Sequence, residues 1–410
     1  MNYLKRHIET IISELAQEVK AVLITGPRQV GKSTLLSHLF PELKRIEFTP
    51  LMDLYEIRKD PELFLNNFAA PIILDEVQFV PELFPALKLR LDQDERPGQY
   101  FLTGSQHLSM LKNISETLAG RVVIVQLHPM SPYELHENNS NWVKVLLEDP
   151  EQLPNRFQGL LPHPDLYETL WRGGYPGLIG KSERLIEKLI ASYMITYIER
   201  DLRLVQNIGD LGSFETFFRL CAALTAQEIN YSELGRDINI THSTAKAWIQ
   251  TLVATYQWQE VWPFTGNMIK RVSKRRKGYL ADTGIACFLL RIGSPIALAS
   301  HPMLGALYET MCVNTILKLL EPLNIGVNTY HWHISQGAEV DLILEKDAIL
   351  YPIEFKCRSW IKQSDTRGIK AFKETYPHLR VAPGVVIYAG KECYRINEHA
   401  IALPWNADLS

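Results

Sequence analysis

Lys20-Ala21-Val22-Leu23-Ile24-Thr25-Gly26-Pro27-Arg28-Gln29-Val30-Gly31-Lys32-Ser33-Thr34 is the stretch that orders the rest of the chain. Its first six residues are apolar on both faces, as a strand inside a parallel sheet requires. The next eight fit G-x-x-x-x-G-K-[ST], Thr34 follows, and residues 35–40 continue as a helix. The glycines let backbone N–H groups turn inward around an anion, and the helix N-terminus adds the positive end of its dipole. Residues 26–34 are therefore expected to cradle the phosphates of ATP. Lys32 would reach the β- and γ-phosphates, and the Ser33 hydroxyl would ligate Mg2+. A chance glycine loop would lack the strand before it and the helix after it.

A second buried run, Pro71-Ile72-Ile73-Leu74, ends in Asp75-Glu76. A carboxylate at such a strand end is costly unless it meets solvent or a cation. Beside a phosphate loop, Asp75 is expected to hold Mg2+ and Glu76 to polarise the attacking water. A third run, Gln99-Tyr100-Phe101-Leu102-Thr103, ends in Gly104-Ser105-Gln106. It offers Ser105 or Thr103 as the hydroxyl that senses the γ-phosphate.

Length and composition bound the remainder. A chain of 410 residues accommodates about three domains of roughly 150 residues. With 46% apolar and 22% charged residues it can bury sizeable cores. A formal net charge of −3 gives no general attraction for polyanions, so contact with nucleic acid needs a local patch. Cys221, Cys287, Cys312, Cys357 and Cys393 show no Cys-x-x-Cys spacing, which argues for free thiols in a reducing compartment. The opening residues interleave charge with apolar side chains, and no run of about 18 apolar residues occurs. The expectation is a cytoplasmic protein with neither signal peptide nor membrane span.

Several motifs together resemble one family, the AAA-type ATPases that carry a C-terminal domain of unknown function numbered 4143. The matching pieces are the loop at 26–34, Leu74-Asp75-Glu76-Val77-Gln78, Leu102-Thr103-Gly104-Ser105 and Leu118-Ala119-Gly120-Arg121. Trp171-Arg172-Gly173-Gly174-Tyr175-Pro176 and Tyr197-Ile198-Glu199-Arg200-Asp201-Leu202 extend the match over most of the chain. The resemblance implies ATP hydrolysis, a homo-oligomer, and an arginine that contacts the γ-phosphate, often from a neighbouring subunit. Arg121 is the first candidate for that role and Arg200 the second. A structural ion pair is the alternative for either.

Residues 136–165 are polar and punctuated by Pro150, Pro154, Pro162 and Pro164, which reads as a loop-rich boundary. A helical run at 183–205 follows as a connector. From Phe214 the pattern becomes helix, turn, helix. A second helix is expected to be capped by Ser232, and a third opens at Thr241 with His242, Ser243, Thr244 and Lys246 on its surface, as a recognition helix presents. Lys270, Arg271, Lys274, Arg275, Arg276 and Lys277 then suggest the wing of a winged helix able to neutralise several phosphates of DNA. A protein-packing module with a solvated charge run is the competing reading.

Near the C-terminus Glu309 lies among apolar helical positions. Asp341 and the run Ile353-Glu354-Phe355-Lys356 lie on successive strands. Alternation puts Glu354 and Lys356 on one face. The Asp…Glu-x-Lys arrangement with an upstream Glu resembles the PD-(D/E)XK nuclease fold. That resemblance implies Glu309, Asp341 and Glu354 as Mg2+ ligands and Lys356 as catalytic lysine. Pro352 suggests an edge strand or a break, and His331 and His333 read as exposed strand histidines.

The fold class expected is α/β. Residues 1–135 form a P-loop ATPase core with a parallel sheet and 136–212 a helical lid or connector. Residues 213–298 form a winged helix-turn-helix and 299–410 a PD-(D/E)XK nuclease-like domain. Two functions fit. One is an ATPase acting on DNA; the other is a nucleotide-gated scaffold whose C-terminal domains bind protein.

Overall fold

A computed structural model describes residues 3–49, 54–104, 118–162, 165–197, 202, 210–266, 274–334 and 337–409. Ala21–Thr25 (β1), Lys44–Glu47 (β2), Ile72–Asp75 (β3), Tyr100–Gly104 (β4) and Val122–Gln126 (β5) form a sheet of order β2-β3-β4-β1-β5. All four of its pairings are parallel. Every strand therefore ends on the same edge, and that edge collects the loop after β1, Asp75 and Thr103. β1 and β3 are buried at every position. Val22, Ile24, Phe101 and Val125 enter one core, and Leu23, Leu74 and Leu102 enter another on the opposite face. The continuous apolar runs of the sequence are the signature of this two-sided burial.

The segment expected as a loop-rich boundary is ordered instead. Pro132–Leu135, Trp142–Glu148 and Leu153–Arg156 are short helices, and Phe157–Leu160 (β6) pairs antiparallel with the last strand, Ala407–Leu409 (β17). Pro132, Pro150 and Pro154 occupy first-turn positions of helical segments, where the missing N–H costs nothing. These three prolines start turns of helix; Pro162 lies in none, and Pro164 lies outside the described residues.

The helix-turn-helix is built from Leu211–Ala223, Tyr231–Asp237 and His242–Ala254. Asn230, not Ser232, caps the second helix, accepting from the Ser232 and Glu233 N–H groups. Thr241 caps the third as expected, accepting from the Thr244 N–H at 3.1 Å. A Cβ on Gly235 would press on the Ile240 carbonyl, so the turn requires the absence of a side chain there.

Gln227–Glu228 (β7), Trp258–Pro263 (β8) and Lys277–Leu280 (β9) do not end a separate wing. β8 pairs in parallel with Asn328–His333 (β10), and β10 leads through Glu339–Lys346 (β11) and Ile349–Lys356 (β12) to Gly384–Tyr388 (β14), Ala400–Pro404 (β16) and Tyr394–Asn397 (β15). Arg380–Val381 (β13) joins β12, completing a ten-stranded sheet that crosses the boundary expected at residue 299. Pro352 lies in the interior of this sheet and not at its edge. β12 bonds β13 through Ile349 and Leu350 and β14 from Ile353 onward, so Pro352 falls where one partner ends and the next begins. No ladder bond on that side is lost.

The Trp-Arg-Gly-Gly-Tyr-Pro motif of residues 171–176 is fastened to the segment that follows β9. The Asp282 carboxylate caps Thr283–Leu289 and accepts from the Gly174 N–H at 2.7 Å. A Cβ on Gly173 would overlap that carboxylate, which explains a paired glycine in an otherwise bulky segment. Among the described residues, no helix is long and apolar enough to cross a membrane.

Candidate functional site

The loop after β1 turns through left-handed backbone at Gly26 (φ 138°), Gln29 (φ 63°) and Gly31 (φ 95°), and Gly31 then caps the helix Lys32–Leu39. A Cβ on Gly26 would strike the Leu127 carbonyl, whereas one on Gly31 would meet open space. The loop is thus pinned at its root and open at its mouth. Lys32 is 4% exposed, and its Nζ donates to the carbonyls of Gly26 (3.0 Å) and Pro27 (2.9 Å). The ammonium is seated at the foot of the cradle. An N-terminal strap holds the loop from behind. Arg6 donates to the Val30 carbonyl at 2.9 Å, to the His128 carbonyl at 2.7 Å and to Glu134 Oε1 at 3.0 Å. Burial opposes a charged Glu134, yet Arg6, His7 and the N–H groups of Ser131 and His7 together outweigh it and bring its pKa down to about 2. His128 is pushed down to about 3, by burial first and then by Lys318.

Thr103 on the intervening β4 links the other two expected elements. Its hydroxyl donates to Asp75 and accepts from the Glu76 N–H at 3.0 Å. Glu76 is held in left-handed backbone (φ 58°), and its carboxylate accepts from the Gln78 amide. Asp75 is fully buried, and Arg45 grips its Oδ2 through Nη2 at 2.6 Å and Nε at 3.0 Å. Sequence reading missed Arg45; the Arg-x-Glu alternation of β2 beside an acidic strand end was its only trace. The donor set of a Ser33 hydroxyl and the Asp75 carboxylate, both hard oxygen, fits Mg2+. Ser105 and Arg200 lie outside the described residues, as do Lys270 and Arg271.

Arg121 is elsewhere. It precedes β5, at the edge opposite the loop, and its guanidinium bonds Asp92 at 2.5 and 3.1 Å. Burial of neither partner is deep; the link to Asp92 is an ordinary surface pair. A five-residue strand separates Arg121 from the loop edge, roughly 16 Å at strand rise, so it cannot serve the nucleotide of its own chain.

The C-terminal carboxylates do converge. Glu309, on the helix Leu304–Leu320, accepts from the Tyr279 hydroxyl at 2.8 Å. Asp341 Oδ2 accepts from the Phe355 N–H at 3.0 Å, and Glu354 Oε2 binds Lys356 Nζ at 3.0 Å. Between Glu309 and Asp341 sits an unexpected group. Lys277 Nζ lies 2.5 Å from Glu309 Oε1 and 3.5 Å from Asp341 Oδ1. Lys277 is therefore not a wing cation, and Arg276 is also engaged, stacked on Trp262 at 3.6 Å and paired with Glu260 at 2.6 Å. Lys274 and Arg275 are exposed. Burial would lower the Lys277 pKa, but Glu309 and Asp341 outweigh it and the net shift is upward. Burial, then the like charge of Asp341, lifts Glu309 to about 7 in spite of Lys277. Glu354 is raised well above its ordinary value by the same two causes.

Among the described residues, no three His, Cys, Asp or Glu side chains are arranged to hold a metal ion. With an ammonium between two of its three expected ligands, the centre as arranged does not fit Mg2+. His331 is buried rather than exposed, 3.3 Å from the Arg275 carbonyl, and burial lowers its pKa to about 4.

Comparison with known proteins matches three segments. Residues 18–136 fit the AAA domain, 163–295 the domain of unknown function DUF8612, and 304–407 the domain of unknown function DUF4143. An uncharacterized protein of Mycobacterium tuberculosis is 26% identical over 387 residues, covering 93% of this chain and 79% of its own. The Walker-type ATPase of Pyrococcus abyssi aligns at 17% identity and a TM-score of 0.44, over 68% of this chain and 94% of that one. The RuvB Holliday junction branch migration motor of Thermotoga maritima aligns at 14% identity and 0.31, over 63% and 90%. Along its length the chain therefore resembles proteins in which an AAA domain is followed by the domains of unknown function DUF8612 and DUF4143.

Proposed function

We propose that this chain binds and hydrolyses ATP and uses the cycle to act on DNA through its helix-turn-helix. The observation that carries the nucleotide half is the row formed across β1, β4 and β3. It comprises a buried Lys32 beneath an open loop, a Thr103 hydroxyl, and the Asp75-Glu76 pair it touches. In this reading the inward N–H groups and Lys32 hold the β- and γ-phosphates, and Ser33 and Asp75 hold Mg2+, which neutralises phosphate charge when bound. Glu76 orients the attacking water once Gln78 releases it. Arg121 acts, if it touches phosphate, on the nucleotide of a neighbouring copy. The DNA half rests on the exposed His242, Ser243 and Lys246 at a capped helix start. Lys32→Ala is expected to lose saturable binding of a labelled adenine nucleotide, and Glu76→Gln to bind normally while phosphate release falls by 100-fold or more, ~3 kcal/mol. Equal phosphate release by Glu76→Gln and wild type overturns the assignment of Glu76.

For the C-terminal domain we propose gripping, not cutting. Glu309, Asp341, Glu354 and Lys356 have the residue types of a phosphodiesterase centre, but Lys277 supports a closed one. The same observation favours the second reading, a nucleotide-gated scaffold. That reading expects nucleotide-dependent assembly with no salt-sensitive retention on DNA-cellulose; retention that falls steeply with salt decides for DNA.

A further inference from the structure

The carboxylate centre is joined to the helix-turn-helix by the lysine that fills it. Lys277 opens β9, which is buried at all four positions. β9 pairs with β8 (Val261 opposite Lys277), β8 with β10, and β10 with the strand that bears Asp341. The other side of β9 is fastened to the helix that bears Glu309. Asn314 donates to the Leu280 carbonyl at 2.8 Å, and the Leu280 N–H donates to Thr225, whose hydroxyl lies 2.8 Å from that of Thr310. A Cβ on Gly278 would overlap the Trp258 ring, so the strand lies flat on that indole. Lys277 is not a surface side chain that has folded inward; its strand is joined to the Glu309 helix through Leu280 and to the Asp341 strand through β8 and β10.

Every carboxylate of the centre has a partner within the chain: Lys277 and Tyr279 for Glu309, Lys277 and the Phe355 N–H for Asp341, and Lys356 for Glu354. A divalent ion bridging Glu309 and Asp341 would need their oxygens at roughly 2.0–2.6 Å. It would then press on the ammonium already between them, and two cations cannot share one seat. We propose that Lys277 is the resident cation of this centre, occupying the seat of a divalent ion. Removing its charge uncovers a latent Mg2+- or Mn2+-binding site of hard oxygen ligands. This inference does not depend on the nucleotide reading, because it concerns another sheet and is tested without nucleotide.

The test is titration of the full chain with Mn2+, followed by electron paramagnetic resonance of the free ion, in wild type, Asp341→Asn, Lys277→Met and Lys277→Met/Asp341→Asn. Wild type and Asp341→Asn are expected to bind equal Mn2+, whatever the nucleotide loop takes up. Lys277→Met is expected to bind one further equivalent, lost again in the double variant. Lys277→Arg, which keeps the charge, should bind as wild type does. Wild-type binding that Asp341→Asn abolishes overturns the proposal, and so does a folded Lys277→Met that gains no Mn2+. Should Lys277→Met fail to fold, the first pair decides. Asp341-dependent Mn2+ uptake in wild type refutes an occupied seat, and its absence at millimolar Mn2+ upholds it.

Discussion

Asp75 and Asp341 are both buried acids on strands, and both meet a cation from another strand of their own sheet. Their cations differ in access to water. The Arg45 side chain beside Asp75 is 35% exposed, whereas Lys277 beside Asp341 and Glu309 is 11% exposed. A guanidinium at the surface can exchange a carboxylate for water at little cost. A buried ammonium cannot leave without stranding the charges it neutralised. The first pair suits a site that must accept an incoming cation; the second suits a permanent joint.

Substitution should separate the two pairs most strongly at Lys277. Lys277→Ala leaves Glu309 and Asp341 buried without their cation and is expected to cost about 3–5 kcal/mol in urea unfolding. Arg45→Ala should cost less, about 1.5–3 kcal/mol, because Asp75 is buried but loses a partner whose side chain is 35% exposed, so water can follow. Similar losses would erase the contrast. The joint can also be attacked through its backbone. Gly278→Val drives a side chain into Trp258 and is expected to destabilise by about 1–3 kcal/mol, with the same loss of heat resistance seen by tryptophan fluorescence and by circular dichroism.

Titration sharpens the comparison from the nucleotide side. Glu134 has its pKa lowered to about 2 in the fold, from an ordinary value near 4.5, so its contribution is complete above pH 4.5 and is lost as pH falls towards 2. Glu134→Gln should therefore lower stability at neutral pH and flatten its decline over that acid range, as melting temperature against pH would record. The smallest effect is expected at Pro352. Its position between two successive strand partners leaves no ladder bond at stake, so Pro352→Ala should cost only about 0.4–1 kcal/mol, chiefly by freeing the unfolded chain.

The sequence alone determined the phosphate loop, its strand and helix, the Asp75-Glu76 strand end and the helix-turn-helix. Each is local, its residues lying within one or two turns of chain, so spacing encodes geometry directly. It also named Glu309, Asp341 and Glu354, although they come from three separate elements, because the family resemblance carried them. Tertiary structure decided which charges are free. Lys277 reads as one more member of a basic run until β9 is seen buried between a helix and a sheet. Arg121 could face a nucleotide on its own chain or on a neighbour's until the parallel sheet puts it at the far edge from its own loop. Arg45 shows only the faint trace of an Arg-x-Glu alternation until β2 lies beside β3. Counter-ions are selected by proximity in space, and a cation does its work wherever the fold brings it within a few ångströms of a carboxylate, however distant in sequence.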